Sequence, residues 1–302
     1  MPRDRAASAR PLTNRGEAGL HMARPMSKAE WIAAMKKWSV PVKWYPGWDT
    51  RGRPGDFTSV NGVEIHHTGS DSQTDAYLDF LFKTGRASEG IPGPLCNVST
   101  DFDGDVHVGA IGRANHAGKG SSVTLNHVIA EDYKGYQSPE LRPGPDNTDG
   151  NAHFYGNEVR YDGGQVMTVK QFASAVRWAA AICDHYNWSA LSVIGHREWT
   201  GRKNDPGMCS MYTFRSAVAA LLKAGPTIQE PQTTDVGGTV ARTLTDDDLA
   251  AIGAVVKFQN EDYGRRLWAL DTGTGKRQVI DVLADHTNRL QRIEDDTDGV
   301  TP

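Results

Sequence analysis

The sequence predicts an α/β fold in which helices flank a mixed central β-sheet, followed by a small helical C-terminal segment. Short apolar runs that end in polar residues indicate strands at residues 62–67 and 191–194. Between them, residues 168–186 open with a Thr–Gln capping pair and carry apolar side chains at helical spacing. Strands interspersed with helices, with polar residues at the strand ends, are typical of this architecture.

The N-terminal part of the predicted domain begins with a short helix. Ser27 and Glu30 form a capping box, and apolar residues recur at helical spacing until the chain reaches Pro41. Residues 44–56 are rich in aromatic residues, Pro, Gly and Arg, which favours a loop along the surface. Its aromatic side chains either stack on sugar rings or cover the edge of the core; they are Trp44, Tyr45 and Trp48.

The middle of the chain alternates the same elements. The patterns predict a helix at residues 74–83, a hairpin turning at the Asp-Gly of residues 101–105, a strand at residues 154–161 and a closing helix at residues 212–223. Residues 123–133 alternate less cleanly. Residues 134–151 are rich in Pro, Gly and Asp, which predicts an irregular loop beside a substrate groove.

Candidate chemistry is concentrated in residues 193–207, which follow a buried strand. Gly195 allows a turn, His196 comes next, and Lys203 and Asp205 precede a Pro-Gly turn. On one irregular loop, such residues suggest two zinc ligands and a cation that stabilises an oxyanion. The alternative is ordinary turn chemistry beside a structural histidine.

Two further candidate histidines lie far upstream in the chain, at the end of the predicted strand at residues 62–67. Catalytic zinc takes three protein ligands and leaves one position open, and His66, His196 and Asp205 would supply two nitrogens and an oxygen. A ligand on a strand end sits on a rigid element. His67 points to the opposite side of the strand, where it either lines a cleft or packs.

The motifs HHTG, YGNEV and GHREWT…KNDPG together resemble the type-2 N-acetylmuramoyl-L-alanine amidases. That zinc family also includes the peptidoglycan recognition proteins and many phage endolysins. The similarity covers residues 41–224. It implies that His66, His196 and Asp205 bind Zn²⁺, and it favours Asp205 over the nearby Cys209 as the third ligand.

The resemblance also implies roles around the metal. Glu158 corresponds to the general base of some branches, and Lys203 to the lysine that steadies the tetrahedral intermediate. His116 matches a substrate-cleft histidine, and His67 is a second candidate for substrate binding. Some phage members carry a tyrosine where this chain has Cys96. This departure argues for the Glu158 branch of the mechanism.

Composition limits the partners. The net charge is −4, which gives no general attraction to nucleic acid. Residues 227–302 carry 14 acidic and 8 basic side chains, a net of −6, which leaves the rest of the chain at +2. Three widely spaced cysteines do not suggest a disulfide framework. Neither a membrane-spanning apolar run nor the apolar core of a secretory signal peptide is expected.

The predicted domain organisation has four parts. Residues 1–25 are a disordered N-terminal stretch, residues 26–225 the zinc amidase domain, residues 226–243 a linker, and residues 244–296 a helical segment for wall binding or oligomerisation. The last helix carries a short heptad seam, which would suit a homo-oligomer. Its members are Val279, Leu283, His286, Leu290 and Ile293.

The expected function is zinc-dependent hydrolysis of bacterial peptidoglycan between N-acetylmuramic acid and L-alanine. We expect a phage endolysin that accumulates in the host cytoplasm and reaches the cell wall after release. The alternatives are a non-catalytic peptidoglycan-binding module and a cytosolic amidase that recycles muropeptides. A zinc peptidase that cuts the stem peptide would share the metal chemistry.

Overall fold

The computed structural model describes residues 23–133 and 141–226 of the chain. Within these ranges the α-helices are α1 (Lys28–Lys37), α2 (Asp75–Asp79), α3 (Ser122–Ala130), α4 (Val169–Tyr186), α5 (His196–Trp199) and α6 (Met211–Ala224). The strands are β1 (Val42–Trp44), β2 (Gly62–His67), β3 (Val98–Thr100), β4 (Val106–Val108), β5 (Lys119–Ser121), β6 (Asp146–Asp149), β7 (Phe154–Val159) and β8 (Val193–Gly195). A π-helical turn, Phe80–Thr84, continues α2.

A six-stranded mixed sheet organises the domain, in the order β1-β4-β3-β7-β2-β8. Only the β3–β4 pair within this sheet is antiparallel, and it is the predicted hairpin. The remaining neighbours run parallel. Strands β5 and β6 form a separate antiparallel pair. The predicted α/β fold with a mixed central sheet and flanking helices is therefore confirmed.

Helix packing on one face of the sheet follows from the sequence. The capping boxes at Ser27 and Thr168 are both formed, so α1 and α4 start where their sequences predict. Trp31 of α1 meets Tyr155 of β7 edge to face, with ring centroids 5.2 Å apart. Val63 and Ile65 alternate with Glu64 along β2 and are completely buried on the same face as Tyr155.

The opposite face of the sheet changes character along its strands. Near the start of β7, Phe154 packs in an apolar cluster with Ile194 and Trp199. One and two steps further along this face come Glu64 of β2, opposite Gly156, and then His66, opposite Glu158. Polar side chains therefore occupy this face from the middle of the strands to the carboxyl edge of the sheet. Open α/β sheets bind their ligands at this edge.

Three local predictions differ from the structure. Residues 123–133, which alternate less cleanly, lie largely in α3, where Ser121 caps the helix and Leu125 and Val128 are buried. Residues 146–149, within the predicted irregular loop, form strand β6. Residues 193–207 are not one irregular loop, because His196 begins the short helix α5 directly after β8. The backbone groups in the first turn of α5 are satisfied by local contacts. A helix of only four residues is too short to be detected from the periodicity of its sequence.

The boundaries of the predicted domains stay predictions. Ala23 pairs with Val60 in an isolated bridge, so the described fold includes three residues before the predicted start at residue 26. Residues 1–22 and the predicted linker and C-terminal helices beyond residue 226 lie outside the described residues. Among the described helices, none combines the length and apolar character needed to cross a membrane.

Candidate active site

Two of the predicted site residues come from neighbouring parallel strands in register. His66 of β2 is the partner of Glu158 of β7, so their side chains project from the same face at the same height. His66 is buried and Glu158 half-buried. Both strands lie inside the sheet, between β3 and β8. This arrangement fixes the spacing of the histidine and the carboxylate through the backbone ladder.

His196 is placed by the turn from β8 into α5. Glu198 Oε2 accepts a hydrogen bond from the Gly195 backbone nitrogen at 3.0 Å, which anchors the start of the helix. The same carboxylate is held by Arg215 of α6 in a completely buried bidentate pair, with contacts of 2.7 and 2.9 Å. Arg215 also donates to the Val193 carbonyl at 3.0 Å. The histidine therefore rests on a buried ion pair.

The loop that carries Lys203 and Asp205 is tied to α5 by Arg197. Its backbone nitrogen donates to the Asp205 carbonyl at 3.0 Å. Its guanidinium donates to three further carbonyls along the loop, those of Asn204 at 3.3 Å, Gly207 at 2.7 Å and Cys209 at 2.6 Å. On the other side, the Tyr161 hydroxyl donates to the Pro206 carbonyl. These contacts hold Asp205 against the two histidines.

Three ligand atoms converge in this site. His66 Nδ1 lies 3.0 Å from His196 Nδ1 and 2.9 Å from Asp205 Oδ2, and His196 Nδ1 also lies 2.9 Å from that oxygen. These three residues form one of the two groups with metal-binding geometry among the described residues. The three predicted zinc ligands, taken from positions up to 139 residues apart, are therefore brought together.

The positions of the protons on the histidine rings favour a cation between His66, His196 and Asp205. His196 Nε2–H donates to the Ala117 carbonyl at 3.0 Å, so the neutral ring has its lone pair on Nδ1. His116 Nε2–H donates to the Phe154 carbonyl at 3.0 Å, which leaves its Nδ1 to accept from His66 Nε2–H at 3.1 Å. The inward-facing Nδ1 of His66 then carries a lone pair. Two ring nitrogens and a carboxylate oxygen that face one another suit zinc.

Burial and the neighbouring carboxylates shift the pKa values of the three groups in different directions. Burial lowers the pKa of His66 to about 4, so this ring is neutral at pH 7. Burial opposes ionisation of Asp205, but its contacts with His196 and then His66 outweigh burial and hold the pKa well below the usual range. For His196, the Glu64 and Asp205 carboxylates outweigh the lowering effect of burial and raise the pKa. The site attracts positive charge.

Glu158 lies beside this group without being one of the three. Burial raises the pKa of Glu158 well above its ordinary value, the charge of Asp205 raises it further, and Lys203 acts in the opposite direction. Its Oε2 atom is buried and has no hydrogen-bond partner among the described residues. Lys203 is exposed on the loop. Cys96, at the position of the tyrosine of some phage relatives, is completely buried.

Two histidines are candidates for substrate binding. The side chain of His116 is completely buried behind His66, and its Nδ1 lies 3.1 Å from His66 Nε2. His67 is half-buried, and its Nδ1 accepts from the Gly69 backbone nitrogen at 3.0 Å. The His67 ring also packs against Gly163, where a Cβ would lie 2.4 Å from Nε2. Both rings pack against neighbouring residues, and their role toward a substrate stays a prediction.

Sequence reasoning missed Glu64, which is completely buried between the two histidines. Its Oε2 lies 3.3 Å from His116 Nδ1 and 3.6 Å from His66 Nε2, and the three residues form the second group with metal-binding geometry. Gly156 explains the fit, because a Cβ there would lie 2.5 Å from the His116 ring. The sequence signal that could have identified Glu64 is a charged residue within a strand whose neighbours are apolar.

Comparison with protein families gives the identification. A family model described as N-acetylmuramoyl-L-alanine amidase matches residues 56–208, just over half of the 302-residue chain. The chain belongs to the N-acetylmuramoyl-L-alanine amidase family. The matched range includes all three converging ligand residues together with Glu158 and Lys203. Amide hydrolysis in peptidoglycan is the activity that this membership supports.

Several solved structures are similar to this amidase family member. An endolysin N-acetylmuramoyl-L-alanine amidase, LysCS from Clostridium intestinale, has 16% identity and a TM-score of 0.36, covering 55% of this chain and 86% of that one. An AmpD derivative has 19% identity and a TM-score of 0.37, covering 57% and 90%.

A Drosophila peptidoglycan recognition protein, PGRP-LB, in complex with tracheal cytotoxin, has 16% identity and a TM-score of 0.35, covering 55% of this chain and 88% of that one. No curated protein matches the chain. The family assignment rests on the sequence match over residues 56–208.

Proposed function

We propose that this family member is a zinc-dependent amidase that hydrolyses the amide between the lactyl group of N-acetylmuramic acid and L-alanine. The observation that carries the proposal is the convergence of His66 Nδ1, His196 Nδ1 and Asp205 Oδ2 within 3.0 Å of one another. Non-catalytic recognition modules would lack part of this ligand set. Here all three candidate ligands are present, and the Glu158 carboxylate lies beside them.

The chain supplies the groups that the reaction needs. When bound by His66, His196 and Asp205, zinc provides Lewis acidity, which polarises a carbonyl and lowers the pKa of water from about 15.7 to about 7. Glu158 takes the proton of the attacking water as the oxygen adds to the amide carbon. The same carboxyl group then delivers that proton to the departing L-alanine nitrogen as the carbon–nitrogen bond breaks.

Lys203 has a separate part in this mechanism. Its ammonium group lies on the exposed loop, near enough to Glu158 and His196 to influence their pKa values. During attack, negative charge develops on the former carbonyl oxygen. A cation that is already in place stabilises this oxyanion without a costly rearrangement. Lys203 therefore acts on the transition state, whereas Glu158 moves the proton.

Product analysis tests the reaction. The full-length protein, with its zinc content measured, is incubated with purified peptidoglycan, and the soluble fraction is identified by mass spectrometry. We expect intact glycan strands and stem peptides with a free L-alanine amino terminus, and Glu158→Gln should bind zinc yet release little. Cleavage inside the stem peptide would indicate a peptidase instead. Zinc binding and wall binding without any product would indicate a recognition module.

We further propose that the physiological role is that of a phage endolysin. The predicted linker and the acidic segment after it suit an enzyme that works on an insoluble polymer, because a second weak binding site raises avidity. Production in the bacterial cytoplasm should leave cells intact until the membrane is permeabilised, after which the culture should lyse. Activity on soluble muropeptides but none on whole walls would favour the recycling amidase.

A further inference from the structure

Glu64 is a buried carboxylate that the proposed reaction does not use. The side chain is completely inaccessible, and neither carboxylate oxygen has a well-formed hydrogen bond among the described residues. Burial of an uncompensated carboxylate is strongly unfavourable. The nearest ring nitrogens are His116 Nδ1 at 3.3 Å and His66 Nε2 at 3.6 Å. Any compensation for Glu64 must therefore come through these two rings.

The position of Glu64 relative to His66 is set by the strand. The two residues are separated by one position on β2, so both project from the same face, with Glu64 one step deeper. Gly156 lies opposite Glu64 on β7, and its missing side chain leaves the space that the His116 ring fills. Glu64, His116 and the inner edge of His66 thus form a buried layer directly beneath the three converging ligand atoms.

This layer decides which nitrogen of His66 faces the ligand site. A histidine that binds a metal through one nitrogen carries its proton on the other, where a carboxylate or carbonyl usually accepts it. In His66 the inner nitrogen is Nε2, which faces His116 Nδ1 at 3.1 Å and the Glu64 carboxylate beyond it. A negative charge on this side favours a proton on Nε2 and a lone pair on Nδ1.

We propose that Glu64 is a positioning residue that keeps the His66 proton on Nε2, so that the Nδ1 lone pair of His66 is presented to the metal. This inference rests on the proposed zinc-dependent function. Charge balance supports it, because the carboxylates of Glu64 and Asp205 together offset the two positive charges of a zinc ion. This role also explains why the Glu64 carboxylate has no hydrogen-bond partner among the described residues, because the charge of the bound metal would compensate its negative charge.

The test compares Glu64→Leu and Glu64→Gln with the wild-type full-length protein. Leucine removes both the charge and the acceptor, whereas glutamine keeps an acceptor oxygen of similar position. Zinc dissociation constants are measured by competition with a chelator, and the His66 tautomer of the metal-free protein by ¹H–¹⁵N NMR. We expect zinc binding to weaken by about 10–100-fold in Glu64→Leu and by less in Glu64→Gln. In metal-free Glu64→Leu, the fraction of His66 that carries its proton on Nε2 should be lower than in the wild type.

Thermal unfolding of the metal-free proteins separates positioning from support of the fold. Replacing an uncompensated buried carboxylate with an apolar side chain is often neutral or stabilising. The metal-free Glu64→Leu protein should therefore unfold at the wild-type temperature or above it, although its zinc affinity falls. The matched control is Asp101→Asn, which alters another carboxylate–histidine pair of the domain, Asp101 Oδ2 to His107 Nε2 at 2.9 Å. This control should leave zinc affinity unchanged.

The outcomes distinguish this inference from the proposed function. A wild-type protein without measurable zinc affinity would overturn the proposed zinc dependence itself. Tight zinc binding in the wild type, with an affinity within about threefold in both Glu64 variants, would overturn only the role of Glu64. A loss of metal-free stability that parallels the loss of affinity in both variants would assign Glu64 to the fold. If Glu64→Leu does not fold, the glutamine variant decides by the same measurements.

Discussion

The two halves of the candidate site are built in different ways. His66 and Glu158 belong to adjacent strands inside the sheet and are fixed by the register of β2 and β7. His196, Lys203 and Asp205 follow β8 and belong to a short helix and the loop after it. The loop has no ladder of its own, and its shape depends on side-chain donors such as Arg197 and Tyr161.

This contrast assigns different tasks to the two halves. In the strand-borne half, the sheet fixes the distance between the His66 ring and the Glu158 carboxylate, so this distance does not depend on the metal. The loop-borne half brings the other two proposed ligands, His196 and Asp205, and the exposed Lys203 close to His66 and Glu158. Changes in the loop should therefore act through metal affinity and oxyanion stabilisation, whereas a change at Glu158 should leave metal binding intact. The following predictions test this division.

The largest effect is expected when the loop loses its ligand. Asp205→Ala removes the carboxylate that contacts both rings at 2.9 Å, so zinc content and hydrolysis should fall together to background. Cys209→Ser, four residues further on, should leave both nearly intact, because the Cys209 Sγ is directed to the Ser210 carbonyl. Zinc content by elemental analysis and peptidoglycan hydrolysis check this pair. Loss of zinc in the Cys209 variant alone would reverse the ligand assignment.

The strand-borne carboxylate should affect the rate alone. Glu158→Gln preserves shape but cannot accept the proton of water, so we expect kcat to fall by about 10²–10⁴-fold with normal zinc content. Hydrolysis and zinc content are measured on the same sample. Near-normal turnover of this variant would exclude Glu158 from the mechanism.

The same residue predicts the acid limb of the pH profile. A general base works in its deprotonated form, and burial and the Asp205 charge raise the pKa of Glu158 well above its ordinary value. Activity should therefore decline on the acid side at a pH well above the usual range of glutamate titration. Because Glu158→Gln has no such titration, its residual activity should lack this limb. An unchanged limb in the variant would assign the titration to another group.

The sequence predicted parts of both halves. His66 at the end of β2, and His196, Lys203 and Asp205 after β8, are indicated by local patterns, and alternation along β2 assigns faces without knowledge of the partners. The resemblance to the amidase family added Glu158, which pairs with His66 in the structure. The predicted sheet, the capping boxes and helices α4 and α6 follow from local patterns in the same way.

Other parts of the site depend on contacts between distant residues. The buried position of His116 is set by Gly156, forty residues away, and by the carbonyl of Phe154. The start of α5 depends on the Glu198–Arg215 pair, which joins two elements. Local sequence patterns do not predict contacts between residues that are this far apart in the chain. For this reason the sequence did not predict that the side chain of His116 is buried behind His66.

A smaller effect is expected for the loop cation. Lys203→Ala removes the proposed oxyanion partner, so kcat should fall by about 10²–10³-fold while zinc content is unchanged. The neighbouring Arg202 provides the control, because Arg202→Ala makes the same change in net charge. Its guanidinium instead contacts Asp146 Oδ2 at 2.6 Å and the Lys119 carbonyl at 2.8 Å. Equal losses in the two variants, measured as kcat on soluble muropeptides, would indicate a general charge effect.

The smallest effect should come from loosening the loop without removing a ligand. Arg197→Ala deletes the guanidinium that donates to the carbonyls of Gly207 and Cys209, so Asp205 is held less firmly and zinc binding should weaken by about tenfold. Because the strand-borne half is intact, excess zinc should restore most of the activity, which it cannot do for Lys203→Ala. Arg51→Ala is the control, since Arg51 also donates to loop carbonyls, those of Pro46 and Gly109. For both variants, zinc titration gives the zinc affinity, and a hydrolysis assay at each zinc concentration gives the activity. Activity that stays low at saturating zinc would show that Arg197 also orders the groups that act on the substrate, and the division between the two halves would then fail.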